Sequence, residues 1–98
     1  MIRRDKSAKP IEMLINIGPR MAYYLAEIGI ESEQELRKVG YLDAYLSLRA
    51  LQPRIMNRMA LYALYGALSN QDCMKLTTGE KQSLERELQA RLSQLGMK

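Results

Sequence analysis

The stretch INIGPRMAYYLAEIGI, residues 15–30, places a glycine and a proline between two apolar segments and ends at a second glycine. Gly18 permits a sharp corner, and Pro19 suits the first turn of a helix because its φ angle is helical and its missing N–H is not needed there. Apolar residues then recur at helical spacing until Gly29, and a left-handed glycine commonly ends a helix. The stretch therefore predicts a corner followed by a helix over about 19–28.

The segments on either side of this corner also carry helix signals. Pro10 precedes an apolar run that we predict to be a short first helix, reaching Ile17. SEQE at 32–35 and TTGE at 77–80 fit capping boxes, in which a hydroxyl and a glutamate bind each other's backbone N–H groups at the start of a helix.

The segment MALYALYGAL, residues 59–68, has no charged side chain, which is typical of a helix at the centre of a domain. Gly66 weakens that helix, so we expect another helix to approach closely there. A final helix on the surface is predicted by one stripe of leucines among polar neighbours. The stripe consists of Leu84, Leu88, Leu92 and Leu95.

Composition agrees with these elements. Leu, Ala, Met, Glu, Arg and Gln dominate, whereas Val and Thr are scarce and Phe and Trp are absent. The 98 residues have room for one core. We therefore predict an all-α fold over residues 10–98: a single compact bundle of five to six short helices that contains a helix-hairpin-helix-like, or SAM-like, unit.

Residue types needed for much protein chemistry are missing. The chain has no His, the commonest general base and a frequent metal ligand, and Cys73 is its single cysteine. No apolar run is long enough to span a bilayer, and the first residues lack a signal-peptide layout. These features predict a non-enzymatic, cytoplasmic protein with no cofactor, no metal and no membrane contact.

The basic residues are unevenly distributed. The first nine residues carry a formal charge of +3 out of a total of +4, and we predict that residues 1–9 are a basic, disordered tail. No acid occurs between Asp43 and Asp72. Three arginines in this interval predict a basic patch, which either follows a phosphate backbone or is only a solvated face. They are Arg49, Arg54 and Arg58.

The corner itself matches the layout of helix-hairpin-helix modules, in which backbone N–H groups at the hairpin point at a DNA phosphate. On this pattern the candidate phosphate contacts are Asn16, Gly18, Arg20 and Met21. Asn16 stands where such hairpins usually have a glycine. It tolerates a left-handed backbone but adds a side chain where the phosphate would approach. The alternative is that Gly18-Pro19-Arg20 forms only a corner of the core.

A longer pattern extends from residue 12 to about residue 90. It comprises Leu14, Asn16-Ile17-Gly18-Pro19, Ala22, Leu25, Gly29-Ile30, Glu35-Leu36-Arg37, Gly40, Ala44-Tyr45, Leu48, Leu61-Tyr62-Ala63-Leu64 and Ala67-Leu68. This pattern resembles the C-terminal domain of the TfoX/Sxy family of bacterial competence regulators. Asn-Ile-Gly-Pro is the usual hairpin in that family. The chain departs from the family at QDCMKL, where a Trp often follows the central helix.

The resemblance implies a stand-alone C-terminal domain, or a fragment that contains one, because larger members also carry an N-terminal α/β domain for which this chain has no room. Full-length members are linked to competence-gene transcription together with a cyclic-AMP receptor protein. The partners to expect are therefore DNA, contacted non-specifically through phosphates, a transcription-regulator protein, or a separate TfoX N-terminal-like domain.

The alternative function is a protein–protein interaction module without DNA contact, binding a partner or a second copy. The seven methionines favour either an adaptable core or a partner groove.

Overall fold

The computed structural model describes residues 9–96, which fold into five α-helices and two short 3-10 turns, without a strand in this range. The helices are α1 (Pro19–Glu27), α2 (Glu33–Val39), α3 (Tyr41–Leu51), α4 (Arg58–Ser69) and α5 (Thr78–Gln94). The 3-10 turns are Ile11–Met13 and Cys73–Lys75. The predicted all-α fold is confirmed, and a helix-hairpin-helix-like unit is compatible with it. Apart from Lys9, the predicted tail lies outside the described residues.

The first segment differs from the helix predicted to reach Ile17. It forms only one 3-10 turn because Leu14 is extended, at φ −79° and ψ 145°, and Asn16 is left-handed, at φ 74°. Its backbone bonds instead to the connection between α1 and α2. The Ile11 N–H donates to the Glu31 carbonyl at 3.1 Å, and the Glu33 N–H donates to the Lys9 carbonyl at 2.8 Å. The segment is therefore held by neighbours distant in sequence.

Both predicted capping boxes lie at helix starts. The Thr77 hydroxyl accepts from the Glu80 N–H at 3.1 Å and the Glu80 carboxylate accepts from the Thr77 N–H at 3.0 Å, which completes the box on α5. At α2 the Ser32 hydroxyl accepts from the Glu35 N–H at 3.2 Å, as predicted, but the Glu35 carboxylate accepts from the Glu31 N–H at 2.8 Å. The second half of that box is thus displaced by one residue.

Helix α4, which contains the charge-free segment 59–68, lies at the centre, in contact with α2, α3 and the second 3-10 turn. Its buried residues are Ala60, Leu61, Ala63, Leu64, Gly66 and Ala67. Leu25 of α1, Leu36 of α2 and Leu48 of α3 are also fully buried in the same cluster. Each such leucine stabilises the fold by roughly 1.5–3 kcal/mol through removal from water. The core therefore sits around α4, as the sequence predicted.

Helix α5 covers one side of this core. Leu84, Leu88 and Leu92 are buried, whereas Leu95, the last member of the predicted stripe, is 57% exposed beyond the end of the helix. Polar side chains also connect α5 to α3 and α4. These connections are Tyr41 with Glu87, Asp43 with Arg91, and Arg58 with Glu85.

Candidate functional site

The side chain of Asn16 turns towards α4. Its Nδ2 donates to the Gln71 carbonyl at 2.8 Å and lies 3.4 Å from the Ala63 carbonyl oxygen, and its Oδ1 accepts from the Cys73 N–H at 3.1 Å. One amide thus joins the hairpin loop, α4 and the second 3-10 turn. We call this arrangement the Asn16 clamp. It occupies the side chain internally, so a phosphate at this residue would be left with the backbone alone.

Gly66 makes room for the Asn16 clamp. A Cβ atom at this position would lie 2.4 Å from the Asn16 Nδ2 and 2.4 Å from the Gln71 carbonyl oxygen, far inside van der Waals contact. The Gln71 N–H in turn donates to the Gly66 carbonyl at 2.8 Å. The close approach expected at Gly66 is present, but a side chain and a carbonyl make it rather than another helix.

Gly18 is in the opposite situation. Its φ is −89°, which any residue adopts, and a Cβ there would meet no atom within 4 Å. The expectation that Gly18 makes the sharp corner is therefore wrong, since Asn16 supplies the left-handed residue. Gly18 is an exposed residue that precedes α1 and leaves the space in front of that helix open.

The N-terminus of α1 brings together the remaining candidate phosphate contacts. The first helical bond runs from the Ala22 N–H to the Gly18 carbonyl at 2.9 Å, so the N–H groups of Arg20 and Met21 precede the helical ladder. The N-cap residue, Gly18, supplies no side-chain hydrogen bond to this end. Because free N–H groups and the helix dipole make such an end partially positive, and Arg20 is exposed, the site suits an anion.

An apolar cavity of about 420 Å³ opens beside this N-terminus, between α1 and the start of α4. We call it the hairpin pocket, and its lining includes Gly18, Arg20, Met21, Tyr24, Ile55 and Met59. Buried Met56 also lines it. Ile55 is 45% exposed and Met59 is 40% exposed, which leaves two large apolar side chains in water at its rim. Among residues 9–96, Arg20 is the one charged residue in its lining.

Sequence reasoning did not single out Ile55 or Met59 as site residues. The only signal for them was the high methionine content, because three of the seven methionines line the pocket. Their proximity to Arg20 depends on how α1 and α4 pack, which no local pattern encodes.

The three arginines of the predicted basic patch lie in different surroundings. Arg58 Nε lies 2.7 Å from Glu85 Oε1, and Arg58 also donates to the Tyr45 hydroxyl at 3.1 Å. Arg49 lines a second groove, between α3 and α5, whereas Arg54 is exposed in the connection before α4. The interval between Asp43 and Asp72 has no acid of its own, but Glu85 of α5 reaches it and neutralises Arg58.

The ion pair between Arg58 and Glu85 also changes their protonation. Hydrogen bonds, first from Arg58 and then from Gln89, lower the pKa of Glu85 to about 2 from its ordinary 4.5. The hydrogen bond to Glu85 raises the pKa of Arg58, and the Tyr45 hydroxyl adds to this against the effect of burial. Both groups therefore stay charged across the physiological range.

Residues 9–96 contain no cluster of three or more His, Cys, Asp or Glu side chains that could hold a metal ion. Cys73 is half-buried and not in a disulfide. Within the same range, no helix combines the length and the apolar character needed to cross a membrane.

The family model described as the TfoX C-terminal domain matches residues 7–88, which confirms the resemblance inferred from the hairpin and α4 patterns. The chain is also similar to a solved structure, the triclinic crystal form of an uncharacterized protein from Listeria monocytogenes. The two share 29% sequence identity at a TM-score of 0.71, over 83% of this chain and 91% of that chain. No curated protein matches the chain.

Proposed function

We propose that this chain, which belongs to the TfoX C-terminal domain family, is a non-enzymatic domain of bacterial transcription regulation that binds a protein partner through the hairpin pocket. The observation that carries the proposal is the apolar pocket with two exposed rim residues, Ile55 and Met59. The partner is a cytoplasmic protein, either a transcription regulator or a separate TfoX N-terminal-like domain.

The energetics favour a protein contact at this pocket. Covering the exposed parts of Ile55 and Met59 would contribute about 1 kcal/mol each, on the usual value for buried apolar area. Interfaces gain most of their affinity from a few side chains inserted into such pockets. Methionines in the wall, such as Met21 and Met56, have flexible side chains that adapt to the shape of an inserted residue.

A second function is favoured by a separate observation, the uncapped N-terminus of α1. A DNA phosphate could accept from the N–H groups of Gly18, Arg20 and Met21, as the hairpin pattern predicts. Arg58 contributes little to such a contact because Glu85 neutralises it. This function requires an affinity for duplex DNA that falls linearly with log salt, whereas apolar docking changes little.

The first test uses photo-cross-linking in living bacteria. We expect p-benzoyl-phenylalanine in place of Ile55 to give a covalent adduct with a defined protein, identified by mass spectrometry. Met59→Asp should abolish the adduct, and the same photo-reactive residue in place of Ala90 on the exposed face of α5 should give none. An adduct that nuclease removes, or the same adduct from position 90, would contradict docking at the pocket.

The second test titrates a labelled DNA duplex, at low and moderate salt, with the wild-type chain and with Gly18→Glu. The glutamate has space at position 18 and places a negative charge where the phosphate would lie. Phosphate contact predicts a steep salt dependence that Gly18→Glu removes and that deletion of residues 1–9 leaves intact. Binding that depends only on residues 1–9 would exclude the hairpin as a DNA contact.

A further inference from the structure

Among residues 9–96, Arg20 is the one charged side chain that lines the hairpin pocket, and it lies at the uncapped start of α1. No carboxylate from this range lines the cavity. The nearest acid on α1, Glu27, stands at the opposite end of that helix, about 10 Å along the axis at 1.5 Å per residue. An anionic group placed before α1 would therefore meet donors and a cation without a competing carboxylate from the lining.

The part of the pocket lined by Ile55, Met59 and Tyr24 is largely apolar. Ile55 and Met59 form its exposed rim, and Tyr24 contributes an aromatic wall from the second turn of α1. The side chain of Asn57, the polar residue here, already accepts a hydrogen bond from the Met59 N–H at 3.0 Å as the cap of α4. This part of the lining therefore suits an aliphatic or aromatic side chain, and it offers little to a nucleic-acid backbone.

We infer that the hairpin pocket binds a peptide segment in which an apolar side chain stands next to an aspartate or glutamate. The carboxylate lies before α1, where it accepts from the Arg20 and Met21 N–H groups and pairs with the Arg20 guanidinium. The apolar side chain enters between α1 and α4, against Met59. A segment with lysine or arginine at the same position is disfavoured because its charge faces Arg20. This inference rests on the proposed function and specifies the partner's chemistry.

A random dodecamer peptide library displayed on phage tests the inference. The full chain serves as bait in four forms: wild type, Arg20→Glu, Met59→Asp and, as a matched charge reversal on α5, Arg86→Glu. Residues 20 and 59 both lie in the first turn of a helix, where an added carboxylate favours the helix dipole, so neither variant is expected to unfold. Circular dichroism and thermal unfolding verify the fold of every bait.

We expect wild type and Arg86→Glu to enrich the same peptides, with Asp or Glu adjacent to Leu, Ile or Phe. Met59→Asp should lose this enrichment, and Arg20→Glu should select peptides without the acid. A synthetic consensus peptide should bind Arg20→Glu at least tenfold more weakly than wild type, as expected for the loss and reversal of a charge-assisted pair.

Two other outcomes overturn the inference, and they are distinguishable. Peptides enriched through Met59 without any preference for acids would refute the carboxylate while leaving protein docking at the pocket in place. The absence of any enrichment that depends on Met59 would refute peptide docking, and with it the proposed function.

Discussion

The hairpin loop and α5 are attached to the same core by different means. One amide, that of Asn16, holds the loop against backbone groups of residues 63, 71 and 73, and Gly66 leaves no space for a single extra carbon. Helix α5 is held by three buried leucines and by long side chains that meet at the surface, such as Arg58 and Glu85. The contact of Asn16 with backbone groups leaves almost no room for a substitution, whereas the flexible side chains that hold α5 can adjust to one.

The largest effect is expected from Gly66→Ala. The added Cβ must displace either the Asn16 amide or the Gln71 carbonyl, and overpacking of this kind costs about 3 kcal/mol. Urea unfolding followed by circular dichroism measures the free energy. Gly79→Ala is the matched control, because a Cβ there lies 3.9 Å from the Thr77 hydroxyl oxygen and alanine favours the helix by up to about 1 kcal/mol. Equal stability of Gly66→Ala and wild type would show that the core accommodates the carbon.

Asn16→Gly should destabilise the chain by about 2 kcal/mol. Glycine adopts the φ of 74° without strain, so the loss of unfolding free energy has two sources. They are the hydrogen bonds of the Asn16 amide and the cost of leaving their half-buried backbone partners unpaired. The same urea titration measures it. In the double variant with Gly66→Ala the two losses should not add, since the clash with the amide disappears. If the two losses of free energy add, Asn16 and Gly66 do not act together in one clamp.

For α5 we expect a smaller effect that depends on pH. The pKa of Glu85 is lowered to about 2, so the stabilisation is fully present above its ordinary pKa of 4.5 and is lost as pH falls towards 2. Glu85 is 42% exposed, so solvent screening limits the contribution to about 1 kcal/mol or less. The difference in unfolding free energy between wild type and Glu85→Gln should be smaller at pH 3 than at pH 5. A constant difference between the two would exclude this carboxylate as the source.

The smallest effect is expected from Asp43→Asn. Its partner Arg91 is a surface group, and exposed ion pairs contribute about 0.5 kcal/mol or less. Thermal unfolding at low and at 0.5 M salt should show a difference from wild type that salt removes. A loss comparable to that of Asn16→Gly would mean that α5 is held as rigidly as the hairpin, which would end the contrast between the two regions.

The parts of the fold that follow local rules were predictable from the sequence. Pro19 does begin α1, Thr77 and Glu80 form the predicted box, and the charge-free run gives the central helix α4. Each of these rests on neighbours within a few residues. The resemblance to the TfoX/Sxy family also accounted for the Asn-Ile-Gly-Pro hairpin, which has an asparagine where DNA-binding hairpins usually have a glycine.

The rest required tertiary packing. The Asn16 clamp joins residues 55 positions apart, and Glu85 reaches Arg58 across 27 positions, so neither appears in any periodicity. The hairpin pocket exists because α1 lies beside the start of α4, so that Arg20 and Met59 line the same cavity. Sequence reasoning therefore singled out Arg20 and Met21 as candidate phosphate contacts, which stays a prediction, and did not single out Ile55 or Met59.

The Asn16 clamp also has a kinetic consequence. Its hydrogen bond to residue 71 closes a loop of 55 residues, and long-range contacts form only after that closure entropy has been overcome. We therefore expect the clamp to form after the folding transition state, with a φ-value near zero for Asn16→Gly. Loss of the amide should then accelerate unfolding and leave the folding rate almost unchanged. Asn16 is thus expected to determine the lifetime of the native domain more than its rate of folding.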